Sequence, residues 1–168
     1  MQPVFPEVKA HGAAVLLPLS EADLPIVTID EGAEALFPMV VADNYQGARL
    51  AVQHLAGLGH RRIGFISGNN LLASARDRER AFKDMQAHLG LDSDPELIAM
   101  GNFLQQGGFN AAKTLLRMTP PPTAIFAAND ISAVGAMSAI RDAGLHEPED
   151  ISLVGFDDVA VATSCMPS

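Results

Sequence analysis

The sequence predicts an α/β protein built on a doubly wound parallel sheet, and three observations carry that expectation. Short apolar runs occur at Arg62–Ser67, Leu97–Gly101, Thr123–Ala128 and Ile151–Phe156. Between each pair lies a segment with apolar residues at helical spacing, closed by glycine or proline. Strand, helix and strand in about 30 residues is a βαβ unit, whose strands lie parallel. Each apolar run also ends in polar residues, and ligands in open parallel sheets bind beyond the carboxyl ends of the strands.

The elements follow in order from the amino end. Ala13–Leu19 and Pro25–Asp30 both read as buried strands. Only Ser20–Leu24 separates them, too few residues for a parallel crossover, which needs at least about 10–12. The two either pair as a hairpin or have lost the crossover between them. From Val40 the pattern becomes regular. Asp43-Asn44 can cap a helix over Tyr45–Leu58 with the stripe Ala48, Ala51, Val52 and Leu55, stopped by Gly57 and Gly59. A helix over Arg76–Leu89 presents Phe82, Met85 and Leu89, and Gly90 closes it. A third covers Gln106–Met118 through Phe109, Ala112 and Leu116, ended by the prolines at 120–122. The last, Ile131–Ala143, carries Ile131, Val134, Met137 and Ile140 and stops at Gly144. The break near Asp43 is the best domain boundary.

Composition bounds the function. With 168 residues and 48% hydrophobic content, the chain can bury a substantial core. A net charge of −9 argues against a nucleic-acid surface on these residues, because phosphate binding draws on clusters of Lys and Arg. The single cysteine, Cys165, forbids an internal disulfide and a multi-cysteine zinc site, and favours a cytosolic setting. No apolar run approaches the roughly 18 residues of a membrane span, and no signal-peptide pattern opens the chain.

Candidate binding residues collect past the strand ends. The first strand offers Ser67, Asn69 and Asn70, with Ser74, Arg76 and Arg78 opening the next helix. The second offers Asn102 and Phe103, the third Asn129 and Asp130, the fourth Asp157 and Asp158. Carboxylates, amides and a guanidinium beside an aromatic ring suit a small polyhydroxyl ligand: Asp accepts hydroxyl hydrogens, Arg donates a fork, and Phe covers the apolar face of a ring. Each residue also has a plainer reading. Asn129 and Asp130 can cap the following helix, Arg78 can lie on a solvated helix face within RDRER, Asp157 can open a turn, and Phe103 can be ordinary packing. Catalysis has little support. No dinucleotide or P-loop glycine motif occurs, and Ser67 in GFISG lacks the spacing of a nucleophile elbow. The histidines at 11, 54, 60, 88 and 146 show no metal-binding spacing and read as surface or helix-end residues. No catalytic residue, metal site or cofactor is expected.

In combination, four segments carry a resemblance. VVADNYQGARLAVQHLAGLGHRRIGFISG (40–68), SARDRERAF (74–82), PTAIFAANDISAVGAMSAIRDAGL (122–145) and PEDISLVGFDD (148–158) resemble the effector-binding core of lactose/galactose-repressor (LacI/GalR) transcription regulators. The resemblance implies a periplasmic-binding-protein-like (type I) fold of two α/β lobes closing on a small effector. It further implies a helix-turn-helix headpiece before the core, operator DNA bound as a homodimer, a cytoplasmic setting and no membrane. It makes Arg78, Asn129 and Asp157 effector contacts and gives Phe103 the place of a stacking aromatic. The implied organisation is a remnant of the N-terminal lobe at 1–42, the C-terminal lobe at 43–158 and a truncated tail at 159–168, with no headpiece in these residues. The implied function is an effector-sensing domain, the effector a sugar or related polar metabolite. The alternatives are a stand-alone periplasmic sugar-binding protein of the same fold and a small α/β enzyme.

Overall fold

A computed structural model describes residues 25–29 and 37–165. The chain divides into two compact units, Met1–Asp43 and Asn44–Ser168.

In the first unit, β1 (Thr28–Ile29) and β2 (Met39–Val40) pair in parallel, with Thr28 opposite Met39 and Ile29 opposite Val40. The expected strand at 13–19 lies outside the described residues. The strand expected at 25–30 is present but is not buried within these residues: Val27, Ile29 and Val40 are 60%, 78% and 61% exposed. It pairs in parallel with β2, while the hairpin or lost-crossover alternative between 13–19 and 25–30 lies outside the described residues. Apolar content read as a core strand here, but among the described residues the two-stranded pairing leaves these side chains uncovered.

The second unit alternates helix and strand. It comprises α1 (Asn44–Gly57), β3 (Ile63–Ser67), α2 (Ala73–Leu89), β4 (Ile98–Met100), α3 (Gln105–Leu116), β5 (Ala124–Ala127), α4 (Asp130–Asp142) and β6 (Ser152–Val154). The four strands form one parallel sheet in the order β4-β3-β5-β6, with Phe65 opposite both Ile98 and Phe126, and Phe126 opposite Val154. Strand side chains alternate between faces. Ile63, Phe65 and Phe126 meet Ala48, Val52, Leu55, Phe82 and Met85 of α1 and α2 on one side. Ile66, Ile125 and Ala127 meet Ala112, Leu115, Ala136 and Ile140 of α3 and α4 on the other. Burial on both faces explains why these strands are continuous apolar runs rather than alternating ones.

In two helices the expected stripe is buried only in part: Met137 and Ile140 of α4 and Ala112 of α3 are buried, but other marked residues are not. In α4, Ile131 is 38% exposed while Ser132, Ala136 and Ala139 are fully buried. In α3 the buried positions are Gly108, Ala111, Ala112 and Leu115, with Phe109 and Leu116 half-buried. The reason is close backbone approach between α3 and α4. A Cβ on Gly135 would lie 1.9 Å from the Gln105 carbonyl oxygen, and one on Gly108 would lie 2.1 Å from that of Ser132. Glycine makes the contact, and large side chains are turned aside.

The amino ends of the strands are tied separately. Arg62 pairs with Asp92 and, at 3.1 Å, with Asp94, while its Nε donates to the Pro120 carbonyl. The hydrogen bond from Arg62 holds the Asp92 carboxyl below the usual carboxylate range and raises the guanidinium above its own. His60 departs from the surface reading: its Nδ1 lies 2.9 Å from Thr123 Oγ1 and its Nε2 3.0 Å from Ser152 Oγ, so the ring links the starts of β5 and β6. Burial pushes its imidazole below the ordinary histidine value. No helix among the described residues is long and apolar enough to cross a membrane.

Candidate functional site

The carboxyl ends of β3, β4, β5 and β6 point to one edge of the sheet, because all four strands run parallel. Arg78 lies at the centre of this edge. It is 7% exposed, which overturns the solvated-face reading of RDRER. The helix turns its charged neighbours outward: Arg80 pairs with Asp77 at 3.0 Å and Lys83 with Glu79 at 2.6 Å, while Arg78 points inward.

Its guanidinium is held on several sides. Nε and Nη2 donate to Asn44 Oδ1 at 2.9 and 2.7 Å, Nη1 donates to the Ala128 carbonyl, and Nη2 also donates to Asp157 Oδ1 at 2.9 Å. Four of the five N–H donors of the fork are thereby committed within the protein. The cation lies 3.7 Å from the centroid of the Phe156 ring and 5.7 Å from that of Phe103. Both rings are seated on glycine. A Cβ on Gly47 would meet the Phe156 ring at 2.6 Å, and one on Gly68 would meet the Phe103 ring at 2.2 Å. Both rings thus lie within reach of a buried cation, and desolvation strengthens its attraction to a ring face.

Asn129 uses both ends of its amide. Oδ1 accepts from the Ser132 backbone N–H at 2.9 Å and so caps α4, while Nδ2 donates to the Phe103 carbonyl at 3.3 Å. Helix capping and a place at the strand-end edge are therefore one role. Asp130, 7% exposed, accepts from the Val159 N–H at 2.8 Å through Oδ2, and its own N–H donates to the Phe156 carbonyl at 2.9 Å. It anchors the loop that carries Asp157. Arg76 donates to the carbonyls of Asn70 and Leu71 and shapes the loop after β3.

The backbone is unusual at the same edge. Asn102, Phe103, Asp157 and Asp158 all have positive φ, at 57°, 61°, 100° and 54°. For a bulky residue such as Phe103 this is an outlier conformation, and such residues cluster where a site over-determines the chain.

Arg78, Phe103, Asn129 and Asp157 thus form one connected group: Arg78 touches Asp157 and faces Phe103, and Phe103 is bonded to Asn129. Sequence reasoning missed Asn44, which it read as a helix cap, and Phe156, which it left inside a strand. The GFDD context and the asparagine before α1 were visible, but the spatial meeting with Arg78 spans 34 and 78 residues of chain. A separate cavity of about 160 Å³ beside β6 is lined by Val134, Met137, Leu153 and Cys165. It is mostly apolar and holds none of the four predicted residues. No group of three potential metal ligands occurs among the described residues.

Residues 52–168 match the family of periplasmic binding protein-like domains. The chain is 37% identical over 144 residues to the HTH-type transcriptional repressor CytR of Escherichia coli K12, which covers 85% of this chain and 42% of CytR. A LacI family transcriptional regulator from Mycobacterium smegmatis superposes with a TM-score of 0.82 at 32% identity, over 95% of this chain and 57% of that one. The transcriptional regulator CelR, solved as a complex with cellobiose, superposes at 0.79 with 26% identity over 94% of this chain and 56% of its own. The chain spans about two fifths of the length of the curated relative. It belongs to the family of periplasmic binding protein-like domains, in the form carried by LacI-type transcriptional regulators.

Proposed function

We propose that the Asn44–Ser168 unit forms one wall of an effector site in a LacI-type transcriptional regulator, and that Arg78, Phe103, Asn129 and Asp157 present that wall. The observation that carries the reading is the Arg78–Asp157 pair held at 2.9 Å beside two aromatic rings at the carboxyl ends of a parallel sheet. Asp157 keeps 35% of its side chain exposed, so its carboxylate is available to solvent beside a buried cation. The effector is an uncharged polyhydroxyl molecule, a sugar or close relative. Arg78 already faces a carboxylate, and Asp158 adds negative charge next to it, so the wall offers little to a phosphate or carboxylate ligand. Cellobiose, carried by CelR, is of this uncharged class.

In this reading residues 43–158 are the C-terminal lobe, residues 1–42 belong to the N-terminal lobe, and residues 159–168 are the tail that follows. Effector binding shifts a closure equilibrium that a homodimer transmits to a DNA-binding headpiece outside these residues. The net charge of −9 fits a domain that leaves operator contact to another part of the protein. The setting is cytoplasmic, and the domain senses rather than catalyses.

A thermal-shift titration tests the proposal with D-galactose, cellobiose and glucose 6-phosphate on the wild-type protein and on Asp157→Asn. A neutral sugar is expected to raise the melting temperature. Loss of the charge-assisted acceptor is expected to weaken that response by about 10–150-fold in concentration. Stabilisation by the phosphate alone, or an unchanged response in Asp157→Asn, would overturn the assignment.

A further inference from the structure

We infer that Asn44 is the positioning residue for Arg78, fixing the orientation in which the fork meets Asp157 and the Ala128 carbonyl. The inference rests on the reading of the strand-end cluster as an effector site.

Geometry favours Asn44 over Asp157 for this task. A single Asn44 oxygen accepts from Nε at 2.9 Å and from Nη2 at 2.7 Å, gripping the fork along one edge. Two bonds to one edge stop the guanidinium from swinging in its plane, and the Phe156 face at 3.7 Å stops it from tilting. Asp157 offers one described bond to Arg78, from Nη2. Burial points the same way. Asn44 and Arg78 are each 7% exposed, whereas the Asp157 side chain is 35% exposed, so its attraction is partly screened by water.

The anchor itself is rigid. Asn44 is the first residue of α1, and Ala48, Val52 and Leu55 of that helix are fully buried. Three residues on, Gly47 provides the seat for Phe156. The first turn of α1 therefore supplies both the acceptor that grips the fork and the floor beneath the ring that covers it. Asn44 also begins the second compact unit, at the point where the chain leaves the first.

Arginine side-chain NMR on the 168-residue chain separates this role from general support. With ¹⁵N-arginine labelling, the Arg78 Nε–H resonance is identified by its loss in Arg78→Lys, and its exchange with solvent is then measured. Exchange is expected to be about tenfold faster in Asn44→Leu, which removes the acceptor, and slower than wild type in Asn44→Asp, which charges it. Asp157→Asn should leave the resonance close to wild type. If Asn44→Leu fails to fold by circular dichroism, Asn44→Ser carries the same expectation. Unchanged exchange in a folded Leu or Ser variant overturns the inference, as does faster exchange in Asn44→Asp. Calorimetric titration with D-galactose and cellobiose adds the functional arm. Affinity should fall about tenfold in Asn44→Leu and stay near wild type in Asn44→Asp; unchanged affinity in Asn44→Leu overturns the positioning role. If neither sugar binds the wild type, the sugar reading fails, while the exchange measurement still decides whether Asn44 orients Arg78.

Discussion

Replacing Arg78 with methionine tests whether a charged residue in a charged stretch is part of the interior. Methionine keeps most of the side-chain volume but removes every donor. Three acceptors then lose their partner: Asn44 Oδ1, the Ala128 carbonyl and Asp157 Oδ1. Asp157 is 35% exposed and can turn to water, so its loss counts for little. Asn44 and Ala128 are 7% and 1% exposed and cannot. Each buried, unsatisfied acceptor costs about 1–3 kcal/mol, and methionine recovers part of that by burying an apolar chain. A net loss of about 2–4 kcal/mol is expected. With a urea slope of about 1–3 kcal/mol/M, the unfolding midpoint should fall by roughly 1–2 M at unchanged slope. The contrasting substitution is Arg80→Met, two residues along the same helix, where the guanidinium is exposed and pairs with Asp77 across one turn. That variant should stay within about 0.5 kcal/mol of wild type. Equal, small shifts in both would refute the buried-clamp description and return Arg78 to the solvent face.

Two further outcomes follow from the packing. Gly135→Ala places a Cβ 1.9 Å from the Gln105 carbonyl, so α3 and α4 must separate, and a loss of about 1–3 kcal/mol or more is expected in urea unfolding; Gly57→Ala, whose Cβ would meet nothing within 4 Å, is the control. The third is a pH effect at His60, whose imidazole burial holds below its ordinary value. The unfolded chain takes up a proton there before the folded one does, so this contribution is complete above the unfolded value near 6.5 and declines as pH falls toward the lower folded value. Urea midpoints between pH 7.5 and 5.5 should drop more steeply in wild type than in His60→Gln, and parallel slopes would count against the effect.

The fold was legible because both faces of the central strands β3 and β5 are covered, which makes them apolar runs ending at polar residues. Helix faces were harder to read. In α4 the stripe Ile131, Val134, Met137 and Ile140 was right for Met137 and Ile140 but not for Ile131, which is 38% exposed, because much of the buried face is Ala, Gly and Ser. Close backbone packing leaves no hydrophobic signature at the contact itself. The first unit misled for the opposite reason, since the apolar Val27 and Ile29 lie exposed on a two-stranded ribbon. At the strand ends, position within a parallel sheet gathered a wider set that includes Arg78, Phe103, Asn129 and Asp157, and the family resemblance singled out those four. It could not assign roles among them. That Arg78 is buried, that Asn44 as well as the Asp157 carboxylate holds its fork, and that Asn129 spends both amide ends on protein partners depend on side-chain directions that periodicity does not encode.

The four left-handed residues beside the site bear on how this protein would respond to selection. Asn102, Phe103, Asp157 and Asp158 each hold a conformation that glycine adopts freely and that disfavours a larger side chain by an amount on the order of 1 kcal/mol. A library screened for heat resistance alone should therefore enrich glycine at these positions. If the proposed effector wall is right, a library screened for ligand response should reject it at 103 and 157, whose side chains that wall would present. Thermostability and recognition would pull the same few codons in opposite directions, and the positions where the two screens disagree would outline the recognition surface without any ligand having been identified.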